Sequence, residues 1–275
     1  METPRVKTII IVILLIINGL LLVLVGARRS EARRYEQAAL DGSIEVLAHN
    51  GIELTPDAIV NRTGYQSGTT QRNLEKETLL ASVLLGEAVE GSSRGGGLYT
   101  YSSEHGQLSF RAGGELSSQL EKSAYWKIAD PESYATTLAD SLGLELQRIK
   151  FEVLGGNGTI VYRQMLDGVP LFSCQLELAF EDGYLKDMSG SLMAMDAVVF
   201  EEGEGLTLPT VLMHFLDDVL ASGDVCSAIL RVEPGYLLSQ SFTSTITFQP
   251  VWYISTNTAD YYVDGINGDL SRILN

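Results

Sequence analysis

The feature that most constrains this chain is a run of seventeen residues without a charge, Ile9 to Val25. As an α-helix, residues 8–27 would rise about 30 Å, roughly the thickness of bilayer hydrocarbon. A helix satisfies its own backbone polar groups in hydrocarbon, whereas an isolated strand cannot. The run therefore predicts one transmembrane helix that contacts the lipid bilayer through residues 8–27, within a tail and anchor over residues 1–29.

A buried core helix is disfavoured, because the run is apolar on all sides and lies beside a basic N-terminus. A cleaved signal peptide stays open as an alternative, since Val25-Gly26-Ala27 offers small residues to a signal peptidase. The run exceeds the usual 7–15 apolar residues of a signal peptide, which favours a retained anchor. Asn18-Gly19 interrupt the run, and a small polar notch of this kind is typical of helix–helix contacts.

The orientation of the body follows from two opposed signals. Arginines at 28, 29, 33 and 34 follow the run and outnumber Arg5 and Lys7 before it, so a literal positive-inside count places the body inside the cell. A long acidic domain can be exported regardless of flanking charge. We expect a single-pass protein of the cell membrane with a cytoplasmic N-terminus and an extracytoplasmic body.

Charge and cysteine content exclude several classes of function. The formal net charge is −16, so a reader of the nucleic-acid phosphate backbone is disfavoured and no nucleic-acid partner is expected. Cys174 and Cys226 have no metal-site spacing and form no CxxC motif. Each lies on the apolar side of a strand pattern, which favours buried thiols, and a disulfide between them stays open.

The body has an α+β pattern that begins with a small N-terminal domain, residues 30–120. Helices are predicted at Ser30–Asn50 and Asn73–Glu90, and a polar loop at Asn61–Thr70. The glycine-rich segment Gly91–Gly97 predicts a hinge; no Walker lysine follows, so a phosphate loop is disfavoured. A hairpin is then predicted over 98–111.

Two units of a helix followed by an antiparallel sheet are predicted next, at residues 128–200 and 206–275. Asp130-Pro131 begins the first helix as an acidic cap with a proline. Leu171–Phe180 alternates apolar and polar residues, which indicates a strand with one covered face. In the second unit a helix at Thr207–Ala221 precedes four strands, predicted at Cys226–Val232, Tyr236–Gln240, Thr245–Tyr253 and Asp260–Asp264.

The last hairpin carries a family resemblance. Gln249-Pro250-Val251-Trp252-Tyr253-Ile254 and Asp260–Leu270 are similar to the end of PepSY-like domains, which often reads P-x-W-x-I … Y-Y-V-(D/N)-A-x-T-G-E-V. Together with one apolar helix, Asn50–Leu54 and Asp167–Phe172, the order of parts resembles the YycI/YycH regulatory proteins of Gram-positive bacteria. Asp264-Gly265 departs from the Asn/Asp-Ala that is usual there.

The resemblance implies a function without catalysis. Members of that family are membrane-anchored, extracytoplasmic regulators of the YycG–YycF (WalK–WalR) two-component system, which governs cell-wall metabolism. It implies a sensor histidine kinase as partner, with a paralogous membrane-anchored regulator as a second one. Interaction residues are predicted at six positions: Asn18, Gly19, Trp252, Tyr253, Tyr261 and Tyr262. The four aromatic residues have two alternative roles: they form a recognition surface, or they fill the core of the hairpin.

An enzyme is disfavoured, because neither an HExxH nor a GxSxG motif is present. The three histidines, His49, His105 and His214, form no catalytic pattern along the chain, and Asp217-Asp218 is typical of a solvated helix face. We predict no catalytic residue, cofactor or metal. A catalytic pair of carboxylates for glycoside cleavage stays open as an alternative, because its two members need not be close in sequence. The alternative function is a PepSY-type module that inhibits or escorts a secreted peptidase through a sheet edge or a helix face.

Overall fold

The computed structural model describes residues 4–61, 63–86, 89–121, 128–203, 205–240 and 245–273, with the backbone alone for 4–12, 29, 30 and 33. A single helix, α1, spans Pro4–His49. It joins the apolar run and the helix predicted at Ser30–Asn50 without a break. It ends where the sequence predicts, because Gly51 adopts a left-handed φ of 80° and the Ile52 amide donates to the Leu47 carbonyl at 3.0 Å.

The prediction of a transmembrane helix over 8–27 is wrong on this structure. Among the residues that it describes, no helix is both long and apolar enough to cross a membrane. Side chains 8–12 of the predicted span lie outside the description. The fold class is corrected to a mixed α+β fold with a large sheet.

Three shorter α-helices and fifteen strands follow α1 in the described ranges. The helices are α2 (Leu74–Leu85), α3 (Pro131–Ser141) and α4 (Leu208–Ser222), and a 3-10 turn spans Pro56–Ala58. The strands are β1 (Glu53–Leu54), β2 (Gly68–Gln71), β3 (Glu90–Gly95), β4 (Leu98–Ser103), β5 (Gly106–Phe110), β6 (Glu115–Leu120), β7 (Leu146–Leu154), β8 (Asn157–Leu166), β9 (Val169–Glu181), β10 (Tyr184–Ser191), β11 (Val199–Phe200), β12 (Ala228–Gln240), β13 (Thr245–Thr256), β14 (Asp260–Asp264) and β15 (Leu270–Arg272).

The sheet falls into two halves. The first half-sheet is antiparallel, in the order β3-β4-β5-β6-β10-β9-β8-β7. In the second half-sheet β12 pairs with β13, and β13 continues into β2 and β11 at one end and into β14 and β15 at the other. The halves meet where β12 runs parallel to the start of β9, at Tyr236 and Leu171.

Each half-sheet buries its own apolar cluster. The first cluster lies under α2 and α3, with Tyr101, Phe110 and Leu178 among its members. The second lies between the second half-sheet, α4 and the end of α1. The predicted N-terminal domain is divided between them, since residues 40–58 pack in the second cluster and residues 80–116 in the first. A third, smaller cluster at the junction of the halves contains Leu171, Cys174, Tyr236 and Phe248.

Several local predictions can be compared with the structure directly. The alternation of β9 is confirmed, because Cys174, Leu176 and Leu178 are buried while Ser173 and Glu177 are exposed. The hinge predicted at Gly91–Gly97 is wrong for its first part, which is strand β3. A strand needs only backbone groups to pair, and β3 pairs with β4, so its small residues do not prevent it. The two strands predicted at 226–232 and 236–240 are one strand, β12.

A buried ion pair connects the end of β2, α2 and the β3–β4 hairpin. The Arg72 and Glu77 side chains are 8% and 3% exposed, and both Glu77 oxygens accept from the guanidinium, at 2.6 and 2.7 Å. The Tyr101 hydroxyl donates to the same carboxylate at 2.8 Å, and Arg72 also donates to the Gly97 carbonyl at 2.7 Å. Burial raises the pKa of Tyr101 to about 12. The charges are thus matched and hydrogen-bonded, as burial requires.

We expect Glu77→Gln to lower the free energy of unfolding by about 3–5 kcal/mol, because Arg72 then keeps a buried charge without its partner. The measurement is urea unfolding followed by circular dichroism. Glu115→Gln is the matched control: it removes the Arg111–Glu115 pair, whose side chains are 67% and 69% exposed, and should cost less than about 1 kcal/mol. Equal losses in the two variants would show that burial does not set the strength of the Arg72–Glu77 pair.

Candidate interaction surfaces

The first candidate surface is the apolar end of α1. Its apolar side chains from Ile13 to Val25, here called the apolar segment, are between 45% and 73% exposed. Asn18 donates from Nδ2 to the Leu14 carbonyl at 2.9 Å, which satisfies its amide within the helix. A Cβ added to Gly19 would meet nothing within 4 Å. Asn18 and Gly19 therefore form an open, small notch in an otherwise bulky apolar surface.

Beyond the apolar segment, α1 is fixed to the folded body. Leu40 and Leu47 are 3% and 0% exposed and pack in the cluster that α4 covers. The Ser43 hydroxyl lies 3.0 Å from the Ala39 carbonyl and 3.5 Å from the carbonyl of Pro209 in α4. Leu40 is the first buried residue of α1 among its described side chains. The same helix thus carries an exposed apolar end and a buried end.

The second candidate surface, the aromatic residues of the last hairpin, divides between the two faces of the sheet. Trp252 and Tyr261 are each 1% exposed and belong to the core under α4. The rings of Tyr261 and Phe215 meet edge to face at 5.5 Å. Burial, and then the Asp224 carboxylate that accepts from its hydroxyl at 2.9 Å, raise the pKa of Tyr261 to about 12. Trp252 and Tyr261 therefore serve packing, the second of the two roles that the sequence left open.

Tyr253 and Tyr262 lie on the opposite face, in an arginine–aromatic cluster with Phe172 and Arg163. The Phe172 ring lies 5.5 Å from that of Tyr253 and 5.4 Å from that of Tyr262, and Tyr253 and Tyr262 are 5.9 Å apart. The Arg163 guanidinium carbon is 5.1 Å from the centre of the Phe172 ring, within cation–π range. Burial raises the pKa of Tyr262 to about 12 and lowers the pKa of Arg163.

The arginine–aromatic cluster joins the two half-sheets. Arg163 and Phe172 come from β8 and β9, whereas Tyr253 and Tyr262 come from β13 and β14. The Arg163 Nε atom is buried without a hydrogen-bond partner, and the guanidinium lies against the Phe172 ring. Both tyrosines stay partly exposed. Of the four predicted aromatic residues, Tyr253 and Tyr262 are therefore the two that a partner could contact.

Sequence reasoning missed Arg163 as a member of this cluster. It lies between Tyr162 and Gln164, which are both buried, and nothing in that local pattern indicates three aromatic neighbours. Phe172 carried a signal, because it stands on the apolar side of the β9 alternation.

The histidines and aspartates weighed for chemistry lie at the end of α1, in the β4–β5 turn and in α4. His214 is half-buried in α4 and packs against Gly268, and Asp217 is exposed. The ring of His49 lies 2.8 Å from the Glu45 carbonyl. Within the described ranges, no group of three or more metal-ligating side chains comes together.

The two cysteines are free thiols. Cys174 is buried, and this burial raises its pKa to about 11. Cys226 is half-buried, with its pKa raised by burial as well. Both thiols therefore stay protonated at neutral pH, which disfavours reactivity.

Comparisons with known proteins identify no family. No protein-family model matches the sequence, and no curated protein matches it. Among solved structures, an uncharacterized protein from Eubacterium rectale is similar over 80% of this chain and 92% of its own, with 14% identity and a TM-score of 0.48. The C-terminal domain of YpeB from Bacillus megaterium is similar over 74% of this chain and 99% of its own, with 10% identity and a TM-score of 0.35. Likenesses at this level assign neither a family nor a function, and the PepSY-like units stay a prediction.

The two faces of the last hairpin should respond differently to mutation. We expect Trp252→Ala to lower the free energy of unfolding by about 3–5 kcal/mol, because it leaves a cavity in the core. Tyr253→Ala should cost clearly less, because its ring is partly exposed. Urea unfolding by circular dichroism measures both. If the Tyr253 variant were the less stable one, Tyr253 would be the packing residue and would be removed from the candidate surface.

Proposed function

We propose that this chain is a non-enzymatic regulator that binds a sensor histidine kinase and contacts it through α1 and the folded body. The observation that carries the proposal is the exposed apolar segment. A contiguous run of exposed apolar side chains is typical of a site that another molecule covers. Its burial against a partner would contribute roughly 25 cal/mol for each Å² removed from water. The kinase as partner is supported by the sequence resemblance alone.

The notch at Asn18 and Gly19 supports a helix as the element that packs on the apolar segment. Small residues allow two helix backbones to approach closely, and bulky residues prevent it. The Asn18 amide is already bonded within its own helix, so the contact does not have to satisfy it. We therefore place a helix of the kinase against this notch.

Regulation requires more than binding, because a bound protein shifts an equilibrium only when it has different affinities for the two states. The continuity of α1 supports such a difference. A kinase helix packed on the apolar segment would be joined, through the same helix, to residues fixed on α4. The folded body would then favour the kinase state that suits both contacts.

The double variant Asn18→Leu with Gly19→Leu tests the contact. Filling the notch should reduce crosslinking of the chain to the kinase in cells by about tenfold, equivalent to about 1.4 kcal/mol, and should return kinase autophosphorylation to its level without the chain. Leu24→Phe is the matched control, since it adds volume to a 51% exposed residue on the opposite side of the helix from the notch and should change neither readout. Unaltered crosslinking and signalling in the double variant would refute the helix contact.

A second candidate function, peptidase inhibition by strand addition, is favoured by the edge strand β3. All six of its residues are exposed, and among the described strands it pairs only with β4. An unpaired edge of this kind can accept an extended segment of another protein. An inhibitor or escort of a secreted peptidase could therefore offer β3 to its target.

Ser92→Pro and Ser93→Pro, made separately, test this second function. Neighbouring residues of a strand direct their amides to opposite sides, so one proline removes an amide that faces outward and the other breaks the pairing with β4. We expect the outward variant to keep its stability and lose inhibition of a peptidase panel by about tenfold. The second function fails if the unmodified protein inhibits nothing, or if the stable variant inhibits equally well.

A further inference from the structure

A groove beside α2 has the shape of a binding site. It has a volume of about 620 Å³ and lies between α2, the loop after α3, the β8–β9 turn and residues 193–197. Its floor is buried and apolar, with Leu80, Leu142 and Met193 between 2% and 5% exposed. Leu79 stands at the rim and is 67% exposed, so its side chain is accessible to a ligand in the groove.

The groove continues at both ends, which indicates an elongated ligand. Leu79 also lines a second hollow of about 490 Å³ between α2 and α3, where Val83 and Tyr134 form apolar walls. The β8–β9 turn, at Leu166 and Asp167, is shared with a third hollow of about 290 Å³. A compact small molecule would fill one of these hollows, whereas a peptide segment can follow all three. Grooves of this kind commonly take the apolar face of an amphipathic helix.

Hydrogen bonds hold the floor in place before any ligand arrives. Gln164 is 1% exposed, donates from Nε2 to the Met193 carbonyl at 3.0 Å and accepts from the Met193 amide at 2.9 Å. Lys76 donates from Nζ to the Met195 carbonyl at 2.8 Å. A preformed site of this kind avoids the entropy cost of ordering these groups on binding.

The charges at the groove favour a basic ligand. Three carboxylates line it, from Glu145, Asp167 and Asp196, and the single cation among its lining residues, Lys76, is already bonded to the backbone. Glu145 accepts from the backbone amide of Gly168 at 3.0 Å, and Asp196 accepts from the side-chain amide of Asn73 at 2.7 Å, which leaves acceptor capacity on both carboxylates. The net charge of −16 would attract a basic partner from a distance.

We propose that this groove, here called the α2 groove, binds an amphipathic segment of a partner protein, with apolar side chains on the floor and lysine or arginine side chains against the three carboxylates. The surface is separate from the apolar segment of α1, so the proposal stands independently of the histidine kinase. An apolar peptide without basic residues, or an acidic one, would bind more weakly.

The test uses the full chain and a synthetic fourteen-residue leucine–lysine helical peptide that carries a fluorophore and a photocrosslinker, with a leucine–glutamate peptide of the same pattern as control. Fluorescence anisotropy measures the Kd. We expect Leu79→Gln to weaken binding about tenfold, since it removes an apolar contact of about 1.4 kcal/mol or more. Leu154→Gln, at an 89% exposed leucine that ends β7 and does not line the groove, should change nothing.

Asp167→Asn tests the charge, with Asp182→Asn as its matched control. Both aspartates adopt a left-handed φ, 50° and 54°, and each precedes the glycine of a hairpin turn. Asparagine tolerates that conformation, so neither change should disturb the fold. Only Asp167→Asn should weaken binding, by about threefold at low salt.

The crosslinks decide where the peptide lies. The proposal requires crosslinks to residues 76–86, 134–145 or 164–167, together with losses at both Leu79 and Asp167 that their controls do not share. It is overturned by crosslinks confined to residues 13–25, by equal losses in the controls, or by equal affinity for the leucine–glutamate peptide.

Discussion

The arrangement of the first half of the fold depends on the buried pair of Arg72 and Glu77. Two buried charges require fixed hydrogen-bond partners, and here the partners come from the end of β2, from α2 and from the β3–β4 hairpin. This fixes the rotation of α2 about its axis, because Glu77 must point inward. Leu80 and Leu84 then point inward as well, and Leu79 points out beside the α2 groove.

Local sequence patterns predicted those parts of the fold that short-range physics decides. Alternation in β9, the Asp130 cap of α3 and the bounds of β14 were all readable, since each depends on neighbours within a few residues. The same periodicity distributes the aromatic side chains of the last hairpin between the two faces of the sheet, because adjacent strand residues face opposite sides. Trp252 and Tyr253 were therefore expected on opposite faces of the sheet, although the sequence alone did not say which of them is buried in the core.

Features that depend on distant pairing were not predictable. The segment Gly91–Gly97 reads as a hinge, yet its first part is a strand because β4 supplies hydrogen bonds that no local pattern records. Arg163 and Tyr262 are about a hundred positions apart and meet only because β9 joins the two half-sheets. The α2 groove also draws its walls from four separate segments. The transmembrane prediction rested on the apolar run alone, and in the described residues that run belongs to a longer helix that enters the folded body.

The unbroken course of α1 has a mechanical consequence. From Leu40, where the helix is held by the core, to Ile13 is a distance of about 40 Å along the axis. A tilt of about 10° at the held end would displace the other end sideways by about 7 Å, more than the rise of one helical turn. A small rotation of the helix at the core would thus become a large displacement of its apolar end. Conversely, a sideways force on the apolar end would exert a torque on the residues that hold the helix in the core.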